Sequence, residues 1–410
     1  MVTAVANAGK IPQAPAAKEP AERATNSFDI VASWLFSEPI ADLLSLFGEE
    51  MPPATGALAA VDNDTSWLHL DEDLPDWLES LTVDGAAAAR LHAGQRATLE
   101  RALAVERVAA RHFNFRVRAD GTYRERAEIS DGDLTDDVRA RVRSIADQLG
   151  LVTPAPARHK AYDHTLVLGG GYRSPLLRAR FTAELRGEGI NLGEVSMLGS
   201  PRFLLVPDND SVAPERSATE EFAPGARDEF DLMVGAARSA LNVRPGPLTF
   251  LCGCLTSDSR CPQWSYEDEA DASRTPAEFT HERCVDLFDG DDRVGSALSA
   301  STGRPPLRPD TADTFRLWAR LTDPQPGLRA LVVTTQVFVP FQTFDGLRRL
   351  YLPYGVDPEF IGLGPHWHDR PETAEYLLQE TLSGIRSARR FLVAAAEVLR
   401  ADDPRTGEDA

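Results

Sequence analysis

A run of three glycines is the first place in this sequence where residue types and spacing suggest ligand chemistry. The stretch HTLVLGGGYRSPLLRARF spans residues 164–181, and its apolar residues Thr165–Leu168 form a strand candidate. The turn that follows consists of Gly169, Gly170 and Gly171. Glycines let the backbone turn sharply, and Ser174 followed by Pro175 is typical of a helix cap and a first helical residue. The pattern predicts a strand, a tight turn and a helix.

Such a turn is suited to an anionic ligand. Unpaired amides and the positive end of the helix dipole converge where the helix starts, which favours a phosphate or a carboxylate. The same stretch carries Arg173, Arg178 and Arg180 in a chain that is otherwise strongly acidic. We therefore expect an anion at this turn; a corner that serves packing alone is the alternative.

The spacing of the turn argues against two common nucleotide motifs. The pattern is G-x-G-x-x-S, so Ser174 stands where a dinucleotide-binding fold needs its third glycine, and no acidic residue ends the next strand candidate. The GxxxxGK pattern of a phosphate loop is missing as well. We expect neither NAD nor FAD.

Polar residues also follow the other strand candidates or begin the helices after them. Neutral donors and acceptors of this kind are suited to orienting a ligand. The candidate ligand-binding residues outside the turn and its first residues Arg173 and Ser174 are Gly199, Ser200, Glu229, Thr311, Thr314, Thr334, Thr335, Gln336 and Gln342. For catalysis we single out Arg178, Arg202 and Asp313, which can position a transferred group and stabilise its charge. Solvated helix starts and a strand-ending proline are the plain alternatives for several of these positions.

The cysteines are clustered in one segment. They are Cys252, Cys254, Cys261 and Cys284. Clustered thiols in a chain without other cysteines favour metal ligation over disulfides, and we expect a zinc site here. The alternative is that Cys252 and Cys254 are small core residues of a strand.

Two structural units and two short tails account for the chain. Residues 1–26 and 401–410 lack a periodic pattern and are expected to be disordered, while residues 27–157 show helical periodicity. Residues 158–400 alternate short apolar runs with helix candidates and include the cysteine segment. This alternation predicts a Rossmann-like α/β domain, a mostly parallel sheet flanked by helices, preceded by an all-helical domain. Ligands of such sheets bind at the carboxyl ends of the strands.

Charge limits the classes of partner. The formal net charge of −20 repels phosphate backbones and anionic membrane surfaces, so we expect no bulk nucleic acid and no membrane among the partners. No apolar run reaches the roughly 18 residues of a membrane span. We expect a cytoplasmic protein with a small-molecule substrate; the sequence leaves its oligomeric state open.

From His164 onward the order of motifs resembles the DUF218 family, which contains the SanA, ElyC and YdcF proteins. The matching pieces are Gly169–Gly171, Arg178, Gly199 with Ser200, Glu229 with Met233, Thr311 with Asp313 and Thr314, and Val333 with Thr334 and Thr335. The resemblance covers about residues 164–365. It departs from the family where Ser-Gly-Gly is replaced by Gly199-Ser200-Pro201, where Glu-Asn is replaced by Asp313-Thr314, and where the late His is replaced by Val339-Pro340 or Gln342. It implies a Rossmann-like domain with a polar cleft and an adenosyl-type ligand.

Three functions follow from these observations. The first is a small-molecule enzyme of the transferase type that binds a nucleotide, adenosyl or other anionic ligand at the glycine turn. The second is an enzyme that forms peptide bonds from aminoacyl-tRNA, similar to cyclodipeptide synthases, although the acidic charge counts against it. The third is a regulatory protein that binds a ligand without catalysis.

Overall fold

The structure is a computed structural model. The residues that it describes are 13–15, 17, 19–57, 91–116, 129, 132, 134–202, 204, 219–251, 281–302, 309–364, 367 and 372–401. The chain forms two compact units, each described here by itself. The sheet unit comprises Pro156–Thr335 and Pro358–Leu363, and the helical unit comprises Met1–Ala155, Gln336–Asp357 and Gly364–Ala410.

The sheet unit is built on a seven-stranded mixed sheet. Its strands are β1 (His164–Leu168), β2 (Glu194–Gly199), β3 (Arg244–Phe250), β4 (Arg283–Asp289), β5 (Asp292–Ser299), β6 (Arg329–Thr335) and β7 (Asp357–Leu363). Their order across the sheet is β3-β4-β5-β2-β1-β6-β7. The pairs β1–β2, β1–β6 and β2–β5 are parallel, and β3–β4 and β4–β5 are antiparallel. The predicted α/β class with a mostly parallel sheet is confirmed.

Helices cover both faces of this sheet. They are α5 (Ser174–Gly187), α6 (Glu229–Ala236), which continues as a π-helix over Ala237–Leu241, and α7 (Thr311–Thr322). Val167, Met197 and Val333 share an apolar cluster with α5 and α6. Side chains alternate along a strand, so Phe360, the neighbour of the clustered Ile361, points to the opposite face. Phe315 of α7 contacts Phe360 there, with ring centroids 6.4 Å apart.

Strands β4 and β5 form a hairpin that the sequence analysis did not predict. The two strands pair through Asp289 and Asp292, and Gly290 between them has φ +61°. The dipeptide Asp-Gly between alternating apolar residues is a known hairpin signal. In this chain the dipeptide lies in an acidic stretch close to Cys284, which hides the alternation of apolar residues.

The helical unit has its own apolar core. Its helices are α1 (Pro20–Leu35), α2 (Glu38–Ser45), α3 (Ala93–Phe113), α4 (Asp136–Gln148), α8 (Val339–Gly346), α9 (Leu352–Tyr354) and α10 (Ala374–Ala401), with a 3-10 turn at Gln336–Phe338 and a π-helix at Leu347–Tyr351. Trp34 of α1 is fully buried and meets Phe344 of α8 with centroids 5.3 Å apart. Arg389 of α10 forms a buried ion pair with Glu106 of α3 at 2.8 Å.

Two boundaries differ from the predicted ones. Helix α1 begins at Pro20 rather than after residue 26, because small and polar residues, Ala24 and Ser27 among them, fill its buried face and leave little apolar pattern. The helical unit also takes up residues 336–357 and α10, which had been placed with the sheet. Both segments have apolar faces, and the shared core with α1 to α4 buries them. No helix in the described part of the chain is long and apolar enough to cross a membrane.

Candidate functional site

The predicted glycine turn lies at the carboxyl end of β1, in the middle of the parallel strands. Strand β1 has β2, the next strand in the chain, on one side and β6 on the other. Strand connections that leave in opposite directions open a crevice between neighbouring strands, and ligands of α/β sheets bind in such crevices. The turn therefore stands where this fold places ligands.

Helix α5 starts at this turn without a side-chain cap. The predicted cap Ser174 is wrong: Ser174 is already the first helical residue, and its N–H donates to the Gly171 carbonyl at 3.0 Å. Arg173 occupies the cap position, and its guanidinium has no acceptor for the first amides of the helix. Helices α6 and α7, by contrast, are capped by the carboxylates of Asp228 and Asp310. The start of α5 therefore has a positive dipole end that no capping carboxylate satisfies.

The backbone of the turn is strained at one residue. Tyr172 has φ +36°, a left-handed conformation that bulky residues rarely adopt, and its side chain is 8% exposed. Strained backbone of this kind is concentrated at functional sites. Its position between the glycines and α5 agrees with a ligand-binding role for the turn.

Arg178 braces the end of β1. Its Nη1 donates to the carbonyls of Leu168, at 2.9 Å, and Gly169, and its Nη2 donates to Thr335 Oγ1 at 3.1 Å across the β1–β6 crevice. We predicted a catalytic role for this arginine, but its side chain is only 2% exposed. The N–H groups of the guanidinium donate to carbonyls at the end of β1, and these hydrogen bonds compensate for the burial of the charged side chain.

Glu229 and Ser200 form a second polar pair beside the turn. Ser200 Oγ donates to Glu229 Oε2 at 2.5 Å and accepts the Arg202 N–H at 3.3 Å. A Cβ at Gly169 would lie 2.6 Å from Glu229 Oε1. Arg202 is half-buried, and within the described residues its guanidinium makes no hydrogen bond or ion pair. The ends of β1 and β2 thus hold one carboxylate and one available cation.

Three groups that the sequence analysis did not select lie next to this pair. Asp228 is fully buried and forms an ion pair with Arg283, which also donates to Ser299 Oγ at 3.2 Å and stacks over Phe230 at 4.5 Å. Burial raises the pKa of Asp228 to about 6, although Arg283 opposes the shift. Arg283 belongs to the unpredicted strand β4, so the sequence pattern gave no reason to place it here.

The remaining predicted residues of the sheet unit serve local structure. Asp313 takes part in a reciprocal capping pair with Asp310 and forms an ion pair with Arg316 at 2.8 Å. Thr314 Oγ1 donates to the Thr311 carbonyl at 2.8 Å. These contacts occupy the groups that were expected to bind ligand or act in catalysis.

Few polar groups are accessible to a ligand at Gly199 and at the end of β6. A Cβ at Gly199 would meet Met233 at 3.0 Å. Thr334 is fully buried, and its Oγ1 has no hydrogen-bond partner among the described residues. Gln336 and Gln342 belong to the helical unit, where Gln336 Nε2 donates to the Gly150 carbonyl at 2.7 Å and Gln342 is 6% exposed.

Most of the predicted zinc ligands lie outside the described residues. Cys252, Cys254 and Cys261 do not belong to the described residues, whereas Cys284 lies on β4 as a free thiol. Burial and the nearby Asp286 raise the pKa of Cys284 to about 11. Within the described ranges no group of three or more His, Cys, Asp or Glu side chains is arranged to hold a metal ion.

Fold and site together define an α/β protein with a glycine turn and polar side chains at the carboxyl ends of its parallel strands. Relatives of the chain are the uncharacterized protein Mb3814 of Mycobacterium bovis and the uncharacterized proteins MT3893 and Rv3785 of Mycobacterium tuberculosis. Each is 32% identical to the chain over 281 residues, which cover 67% of this chain and 71% of the relative. The chain belongs to the family of these mycobacterial proteins. No family model and no solved structure matches it.

Proposed function

We propose that this protein is a small-molecule enzyme of the transferase type that binds a nucleotide, adenosyl or other anionic ligand at the Gly169–Gly171 turn. The uncapped start of α5 beside a glycine turn carries the proposal, because α6 and α7 are capped by carboxylates of their own whereas α5 has no side-chain cap. The resemblance to the DUF218 family supports the same ligand class. A cytoplasmic location is part of the proposal.

Fixed charges around the turn support transfer chemistry by positioning. Arg178 holds the carbonyls at the end of β1, and Arg202 offers a guanidinium near the end of β2. In this proposal Arg178 fixes the turn, and Arg202 supplies the preorganised charge that stabilises a transferred group. A regulatory protein would use the same cleft without turnover.

The decisive position for testing the anion site is Gly171. A Cβ there meets no atom within 4 Å, so Gly171→Ala leaves the fold unchanged but fills space over the turn. At Gly170 a Cβ would come within 3.0 Å of Ser174 Cβ and 3.3 Å of Arg178 Nη1, so that substitution mixes folding with binding. Gly187, at the far end of α5 with no atom within 4 Å of a Cβ, provides the matched control.

Calorimetric titration with inorganic phosphate and with AMP tests the proposal. We expect wild type and Gly187→Ala to bind alike and Gly171→Ala to bind about tenfold more weakly, with all three melting within about 2 °C of one another. Equal affinities in all three proteins would show that the turn serves packing and does not bind the anion. Mass spectrometry of mixtures with nucleotide and adenosyl donors then distinguishes a transferase from a regulatory protein, and retention of bulk tRNA at low salt would favour the aminoacyl-tRNA alternative.

A further inference from the structure

Thr335, at the carboxyl end of β6, is linked to the glycine turn by a buried hydrogen bond. Its Oγ1 accepts the Nη2–H of Arg178 at 3.1 Å, and both residues are buried. We infer that Thr335 is a positioning residue of the anion site: it does not contact the ligand but holds Arg178, which in turn aims the amide of Gly170 at the anion. This inference rests on the proposed function, since it concerns the geometry of the same turn.

Arg178 fixes two peptide groups where β1 passes into the turn. Its Nη1 donates to the carbonyl oxygens of Leu168, at 2.9 Å, and Gly169. A trans peptide group is planar, so its N–H points away from its C=O. The carbonyl of Gly169 belongs to the same peptide group as the N–H of Gly170. That N–H therefore points away from the guanidinium.

The amides of the turn are available to a ligand. Among the described residues, the N–H groups of Gly170 and Gly171 donate no hydrogen bond. Gly170 is half-buried and Gly171 is exposed. Hydrogen bonds polarise one another, so a peptide group whose carbonyl accepts from a guanidinium has a stronger N–H donor. An oxyanion such as phosphate is the ligand that suits these donors.

Thr335 sets the direction in which the guanidinium points. The donors of an arginine form a rigid planar fork, so fixing Nη2 also fixes Nη1. The register of β1 and β6 ends at the pair Val167 and Val333, and Thr335 lies two residues beyond it. The hydrogen bond through Arg178 thus extends the connection between the two strands to the level of the turn.

The neighbouring Thr334 provides a matched control. It is buried as well, but its Oγ1 has no hydrogen-bond partner in the described part of the chain. Side chains alternate along a strand, so Thr334 points to the face opposite to that of Thr335. A change from threonine to valine replaces the hydroxyl by a methyl group of similar size. The same change at both positions therefore separates the hydrogen bond to Arg178 from packing.

Calorimetric titration with inorganic phosphate tests the inference. We expect Thr335→Val to bind phosphate about fivefold to tenfold more weakly than wild type, because hydrogen bonds to charged groups are the strong ones. Thr335→Ser, which keeps the hydroxyl, and Thr334→Val should each stay within about twofold of wild type. Thr335→Cys has a weak acceptor of similar size, so it should bind with intermediate affinity, and it replaces Thr335→Val if that variant does not fold.

A double-mutant cycle distinguishes positioning through Arg178 from direct contact with the ligand. Arg178→Lys keeps the charge but loses the planar fork that reaches both the turn and Thr335. If Thr335 acts through Arg178, adding Thr335→Val to Arg178→Lys should change the affinity for phosphate by less than about twofold. A further loss of about fivefold would assign Thr335 to the ligand itself and overturn the inference.

The single variants separate failure of the inference from failure of the proposed function. An unchanged affinity in Thr335→Val, or an equal loss in Thr334→Val, would overturn the inference and leave the anion site intact. A loss in Thr335→Ser as large as that in Thr335→Val would do the same, because the hydroxyl would then not be the group that matters. A wild-type protein that does not bind phosphate would overturn the proposed function and the inference together.

Discussion

At the scale of single residues, Arg178 is the side chain on which the geometry of the turn depends. Its guanidinium satisfies two carbonyls at the end of β1 and the hydroxyl of Thr335. Replacing it by alanine leaves buried acceptors without donors, and each costs about 1 to 3 kcal/mol. We expect Arg178→Ala to lower the free energy of unfolding by about 2 to 4 kcal/mol in urea denaturation.

Arg180, on the same helix but exposed, provides the control for this prediction. Arg180→Ala should change the free energy of unfolding by less than about 0.5 kcal/mol. A silent Arg178→Ala would mean that the guanidinium does not brace the strand end.

Asp228 gives the site a pH dependence with a definite sign. Its pKa of about 6 in the folded chain lies above the ordinary value of 3.8, so the folded state holds this proton more tightly than the unfolded state. The contribution of Asp228 to the free energy of unfolding is therefore largest below about pH 4 and falls as the pH rises to about 6, by up to roughly 3 kcal/mol. Asp228→Asn lacks this titration.

Denaturation of both proteins at several pH values between 4 and 7 measures the effect. We expect the wild type to lose stability relative to Asp228→Asn over this interval. A relative gain of the wild type would show that the pairing with Arg283 outweighs the desolvation of the carboxylate.

At the scale of elements, Gly169 controls how closely β1, β2 and α6 approach one another. A Cβ at this position would lie 2.7 Å from the Leu198 carbonyl as well as against Glu229. Backbone of a central strand cannot move aside cheaply, so we expect Gly169→Ala to cost about 1 to 3 kcal/mol of stability, measured by thermal melting. Gly171→Ala is the matched neighbour, and a melting temperature as low as that of Gly169→Ala would contradict this account.

The zinc site predicted at the four cysteines stays a prediction, and metal analysis tests it. Purified without chelators, the protein is expected to carry about one zinc ion per chain by elemental analysis, and a variant with Cys252 and Cys254 changed to serine to carry none. Cys284→Ser asks whether the fourth thiol takes part, because its raised pKa disfavours the thiolate that zinc requires. Metal-free wild-type protein with titratable thiols would assign the cysteines to packing.

Local signals decided which elements could be predicted. Helix α7 (Thr311–Thr322) can be predicted from its own sequence, because Asp310 before it is a cap and the segment TADTFRLWARLT has an apolar face. Strands β4 and β5 were missed because acidic residues interrupt their apolar pattern. The glycine turn, Ser200 and Glu229 could be predicted because they follow a strand candidate or begin a helix. The burial of Arg178 depends on carbonyls of other elements, which no local pattern reveals.

At the scale of the whole molecule, the two units are interleaved along the chain. The helical unit takes residues up to Ala155 and then two later segments, so its core needs α10 as well as α1 to α4. Nothing local in the sequence marks α10 as a partner of helices more than 200 residues earlier, which is why one break near residue 157 was predicted.

This interleaving predicts how a divided chain behaves. Residues 1–157 alone lack the apolar faces of α8 and α10 and the ion-pair partner of Glu106, so we expect no cooperative thermal transition for this fragment. Co-expression with residues 158–410 should restore a cooperative transition. A fragment 1–157 that melts cooperatively by itself would show that α10 is dispensable for the core.

The buried pair between Glu106 and Arg389 also fixes an order of events during synthesis. Glu106 leaves the ribosome 283 residues before Arg389, so at roughly 5 to 20 residues per second it waits about 14 to 57 seconds for this partner on α10. The strands from β1 to β6 are all translated within that interval. The helical unit is thus begun before the sheet unit and completed after it, and until α10 has been synthesised the apolar faces of the earlier helices are exposed to chaperones and to neighbouring nascent chains.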